Sequence, residues 1–89
     1  MKESVIELAF CQRIVGLGGE VRKVKFLDRR GAPDRAAFFD DGLVVWVELK
    51  APQGKLESWQ VREHARLRKR GQQVAVIWNL KQIDEEFPL

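Results

Sequence analysis

Asp34, Glu48 and Lys50 have the residue types and the spacing for metal-assisted hydrolysis. Asp34 enters one apolar run, Glu48 and Lys50 leave another, and between the runs stands Asp40-Asp41-Gly42, a sequence suited to closing a β-hairpin. If the turn holds three residues with Gly42 left-handed, Phe39 faces Leu43. The index sum is constant down an antiparallel ladder, so Asp34 then stands opposite Glu48. Side chains alternate across a strand, and Lys50 emerges on the same face as Glu48. A two-residue turn would shift the register by one and turn the side chains to the other face.

Two neighbouring buried carboxylates repel one another and each is desolvated, so a positive group belongs between them. A divalent cation fits best, and magnesium or manganese suits carboxylate, carbonyl and water ligands. Lys50 would orient or deprotonate the attacking water, or stabilise charge developing on a phosphate. Each residue alone has an ordinary reading: Asp34 as a strand-start residue after Pro33, Glu48 as an edge charge, Lys50 as a solvated side chain. The three together favour a site.

The elements that must hold these residues follow from periodicity. Ile6, Phe10, Ile14 and Leu17 recur at helical spacing, which predicts a helix from Lys2 to Leu17, ended by Gly18-Gly19. Glu3 and Glu7 lie on the same stripe, so either is a candidate third acid, and either is equally a first-turn acid favouring the helix dipole. Glu20 to Phe26 reads as a strand with one basic face, its apolar spacing uneven enough for a bulge, and Leu27 to Pro33 as a loop carrying Arg29 and Arg30. Those arginines could hold a phosphate beside the metal. Ala36–Phe39 and Leu43–Leu49 are apolar enough for strands covered on both faces.

Beyond the hairpin, Ala51–Glu57 is a loop, and Ser58 is placed to cap a helix running to about Arg70. Gln60, His64 and Leu67 share one stripe of it, so Gln60 faces inward; the lone histidine reads as a half-buried helix residue. Gly71 stops the helix, Val74–Trp78 is a last strand, and Leu80–Leu89 is an acidic tail without an assigned element. Trp46, Trp59 and Trp78 read as core or interface residues. The order is helix, three strands, helix, strand: an α/β fold with a mixed sheet flanked by helices, whose last connection should be a right-handed crossover.

Gly31-Ala32-Pro33-Asp34, Val47-Glu48-Leu49-Lys50, Gly54-Lys55-Leu56 and Gln60 resemble the virus-type replication-repair nuclease (VRR-NUC) domain, a branch of the PD-(D/E)XK superfamily. The resemblance spans nearly the whole chain, 1–89 as one domain, and implies a restriction-endonuclease-like core. It also implies Asp34 and Glu48 as metal ligands joined by the Leu49 carbonyl, Lys50 and Gln60 in catalysis, and Glu3 rather than Glu7 as the helix acid. Arg29, Arg30, Arg35 and Lys55 are the expected DNA contacts.

The 89 residues, 45% hydrophobic and 33% charged, suit one small globular domain, marginal alone and helped by self-association. The net charge of +3 is compatible with a polyanionic partner. Neither a membrane span nor a signal peptide is evident, which points to the cytoplasm of a bacterium or virus-infected cell. Cys11, the single cysteine, precludes an internal disulfide or a cysteine zinc cluster, and packs the core. The reading is a metal-dependent, structure-specific DNA endonuclease, expected to resolve four-way junctions as a homodimer. The alternatives are a flap or single-strand nuclease, or a catalytically silent nucleic-acid-binding module.

Overall fold

A computed structural model describes residues 2–89. The chain runs α1 (Glu3–Gly16), β1 (Glu20–Lys23), β2 (Arg35–Phe38), β3 (Val44–Leu49), α2 (Ser58–Lys69), β4 (Gln73–Ile77) and α3 (Leu80–Glu86). The four strands form one sheet in sequence order, antiparallel from β1 to β3 and parallel between β3 and β4. The mixed sheet follows from connection length. The short turn between β2 and β3 can only reverse the chain, whereas the long stretch through α2 brings β4 back beside β3 in the same direction.

Alternation along the strands sorts the sheet into two faces. Ala37, Val45, Val47, Leu49, Ala75 and Ile77 point to one side, where Ile6, Phe10 and Ile14 of α1 and Ile83 and Phe87 near the C-terminus complete the core. Burying a side chain such as Phe10 contributes about 2–3 kcal/mol. The opposite face carries Asp34, Ala36, Phe38, Trp46, Glu48, Val74 and Val76, and α2 packs there against β4. It is less well covered than the apolar runs suggest: Val44 and Trp46 are half-buried and Phe38 is exposed.

Three elements depart from expectation. β1 ends at Lys23 rather than Phe26, although the chain stays alongside β2 for one more residue through Val24 N–H donating to the Asp34 carbonyl (3.1 Å). It then leaves the sheet, and Phe26 turns its ring edge-on to Trp46 (5.5 Å between centroids). The α2 cap is Glu57 rather than Ser58. Glu57 is extended (φ −76°, ψ 156°) and its N–H donates to Gln60 Oε1 (2.9 Å), so Ser58 is the first helical residue. The tail contains a helix, α3. Asn79 caps it by accepting from Gln82 N–H (2.9 Å), and Phe87 stacks obliquely on Phe10 (5.7 Å). Arg13 of α1 binds both the Phe87 carbonyl (2.8 Å) and Asp84 (2.6 Å).

The sheet has two open edges. β1 presents exposed Glu20, Arg22 and Lys23. On β4 the outward Val74 carbonyl accepts from Arg68 (2.8 Å). No helix among the described residues is long and apolar enough to cross a membrane.

Candidate active site

The hairpin turn closes as its sequence requires. Gly42 has φ +86°, its N–H donates to the Phe39 carbonyl (3.1 Å), and Phe39 N–H donates to the Leu43 carbonyl (3.0 Å). A left-handed backbone at this point is nearly free only for glycine. The pairs Arg35 with Val47, Ala36 with Trp46 and Phe38 with Val44 keep one index sum, and extending it sets Asp34 against Glu48.

Glu48 lies on the sheet face away from the core yet is only 6% exposed. Burial, then the neighbouring Asp34 carboxylate and more weakly Glu3, push its carboxyl up to about 7, against the opposing pull of Lys50 and Arg35. Lys50 Nζ stands 4.0 Å from Glu48 Oε2. Asp34 directs Oδ2 to Arg35 (3.2 Å), while its Oδ1 is buried and has no hydrogen-bond partner among the described residues. A buried acceptor without a donor is costly, which marks the place where a positive ligand fits.

The loop leading to Asp34 is seated on the start of α2. Gly31 has φ +87°, and a Cβ there would lie 2.6 Å from the Trp59 carbonyl oxygen. Only glycine permits this approach. Beside it the Arg30 guanidinium lies over the Trp59 ring (3.5 Å to the centroid), and Trp78 Nε1 donates to the Gly54 carbonyl (3.1 Å) in the loop after Lys50. His64 is fully buried rather than half-buried. Its ring faces the Gly31 backbone without either nitrogen completing a hydrogen bond, and burial followed by nearby Arg68 lowers its pKa.

The two helix acids separate. Glu7 turns to Arg35 and Lys23, and its hydrogen bond with Arg35 holds its carboxyl below the usual range. Glu3 is exposed at the start of α1, and its charge is felt at Glu48. Of the expected DNA contacts, Arg35 is the one that is largely buried. Its side chain is 12% exposed and occupied by Glu7 and Asp34, so it ties α1 to the hairpin. Arg29, Arg30 and Lys55 are exposed. Gln60 is half-buried, with its side-chain oxygen committed to the first turn of α2. Cys11 packs beside the core, and burial raises its thiol pKa.

Among the described residues no three His, Cys, Asp or Glu side chains converge as a ready-made metal cluster. The donors on offer are two carboxylates, Asp34 and Glu48, to which an ion would have to add backbone oxygen and water. That is the hard, oxygen-only chemistry magnesium accepts, with few protein ligands.

The sequence matches no family model. It is 39% identical over 77 residues to "Putative nuclease p44" of Acyrthosiphon pisum secondary endosymbiont phage 1, covering 86% of this chain and 83% of that protein. A solved structure described as a VRR_NUC domain superposes with a TM-score of 0.85 at 38% identity, over 93% of this chain and 90% of that one. The chain belongs to the VRR-NUC family. This VRR-NUC domain is therefore a nuclease, a phosphodiester hydrolase, and its mixed four-stranded sheet with three helices is the family fold.

Proposed function

We propose that this VRR-NUC domain is a metal-dependent, structure-specific DNA endonuclease that uses magnesium or manganese and resolves four-way junctions as a homodimer. The observation that carries the nuclease site is the pairing of buried Glu48 with an Asp34 whose Oδ1 has no partner among the described residues, on one face of one hairpin. Asp34 and Glu48 would hold the ion, with the Leu49 carbonyl as a third protein oxygen. When bound, the ion supplies positive charge that acidifies water and offsets charge on the phosphate.

The chain's own groups account for the rest. Lys50, 4.0 Å from Glu48, is placed to orient the attacking water or to neutralise a phosphate oxygen. Glu3 is the helix acid nearest in effect to Glu48 and could hold a further water, whereas Glu7 is engaged elsewhere. Gln60 acts by fixing the first turn of α2, against which the Gly31 loop rests. Arg29, Arg30 and Lys55 remain the candidates for the DNA backbone.

Self-association is supported by apolar side chains without cover. Val5, Leu8 and Val15 of α1 are 47%, 61% and 66% exposed, a large apolar fraction for one helix of so small a protein. A two-fold dimer would bury that helix and present two equivalent sites, which suits a junction with two symmetric strands to be nicked. Cleavage of linear, flapped and four-way DNA with and without each metal tests the substrate, and sedimentation at micromolar concentration tests the dimer. Efficient cutting of junctions by a dimer is expected. A monomer that cuts flaps and leaves junctions intact would replace this reading with a flap nuclease.

A further inference from the structure

We propose that a small cavity beside α2, lined by Arg29, Glu63, Arg66, Leu67 and Arg70, seats an internal phosphate of the DNA strand at a distance from the phosphate that is cut. This rests on the chain being a DNA nuclease and identifies a second contact for the same substrate.

Three guanidinium-bearing side chains meet there against a single carboxylate, Glu63, a surplus of two positive charges. Glu63 is 4% exposed and accepts from Arg66 (3.1 Å), which fixes Arg66 at the rim. Among the described residues Arg70 bonds only within its own helix, to the Arg66 carbonyl (3.3 Å). Arg29 has no ion-pair partner among the described residues. Like charges gathered around a hollow favour an anion, and the planar guanidinium fork matches phosphate oxygens. The cavity, about 170 Å³, is well below the size of ordinary small-molecule sites, so a phosphate fits where a nucleoside or cofactor would not.

Its position gives the path of the strand. Arg29 belongs to the loop that leads to Asp34, and its neighbour Arg30 is fixed over Trp59 at the start of α2. From Trp59 to Arg66 the helix rises about 10 Å. That is the axial length of about three nucleotides of one duplex strand, counted from Trp59 and not from the acids. The strand would therefore leave the acids, pass Arg30 and Trp59, and place a phosphate among Arg29, Arg66 and Arg70.

The test replaces single phosphodiesters of a cut DNA with neutral methylphosphonates, one position at a time. It compares the unaltered protein with a full-length Arg29→Gln, Arg70→Gln double variant. Arg66 is left in place because buried Glu63 depends on it, and thermal melting verifies that the variant is folded. The unaltered protein should lose about tenfold in affinity at one internal position away from the cut, and the variant less than twofold there. The variant's salt slope should be shallower by about one. If DNA is cut normally but the variant responds to every position as the unaltered protein does, or keeps its salt slope, the cavity holds no phosphate. Failure of the unaltered protein to bind or cut DNA would overturn the nuclease reading itself and this inference with it.

Discussion

Lys50 Nζ lies 4.0 Å from Glu48 Oε2, on the side of the sheet turned away from the hydrophobic core. The lysine softens the burial of Glu48 without cancelling it, since the carboxyl still sits at about 7. Its charge is therefore available to a second anion. Lys50→Ala should reduce turnover at saturating DNA by at least about a hundredfold, the scale of a lost positioned proton-transfer or electrostatic group. Affinity should change less than about threefold. Weakened binding with normal turnover per bound complex, measured in single-turnover assays, would make Lys50 a phosphate anchor.

Asp34→Asn and Glu48→Gln should each bring cleavage below detection while preserving the fold. Isothermal titration should show that either variant has lost divalent-ion binding. Full activity in both would exclude these residues as the metal site.

The raised pKa of Glu48 fixes a pH dependence for the metal-free protein. Between about 4.5 and about 7 the folded state holds a proton that the unfolded state has released, so stability falls as pH rises through that window. The full loss, present above about 7, is about 3 kcal/mol at most. Glu48→Gln should therefore raise the melting temperature at pH 8 and leave it nearly unchanged at pH 4. Equal effects at both values would contradict the assignment. In the unaltered protein, divalent-ion affinity should rise with pH across the same interval, because the ion displaces that proton.

Arg35→Gln should destabilise the protein by about 1–2 kcal/mol, because it leaves Glu7 and Asp34 without their shared partner while Lys23 still reaches Glu7 and water reaches both. Chemical denaturation measures this. A stable variant with weakened DNA binding would instead return Arg35 to the DNA contacts.

Gly31→Ala should cost at least about 2 kcal/mol and lower activity further than stability alone explains, since the methyl would meet the Trp59 carbonyl at 2.6 Å in a left-handed backbone. Activity measured well below the melting temperature separates the two effects. Normal activity there would show that the loop tolerates displacement.

The hairpin was legible because its information is local. Asp40-Asp41-Gly42 sets the turn, and parity then carries Asp34, Glu48 and Lys50 to one face. The same parity argument applied to Arg35 would have sent it to the α1 side, as found; net charge concealed this, because charge does not reveal its partner. The α3 helix was obscured by the acidic composition of the tail, although Asn79 as cap and Ile83 with Phe87 at helical spacing carried the signal. The Gln60 contact with Glu57 was hidden by the more conventional capping residue Ser58. The cavity at Arg29 was beyond sequence reasoning, since it needs the loop folded back on α2.

An open sheet is a template for further strands, and the two edges here discourage that growth in different ways. On β1 the deterrent is side-chain charge: a strand docking beside Glu20, Arg22 and Lys23 would have to desolvate all three. On β4 it is occupancy, because Arg68 already holds the Val74 carbonyl that an added strand would need. A single Arg68→Ala change would free that acceptor, and with it a route to edge-to-edge aggregation at concentrations where the unaltered chain stays dispersed.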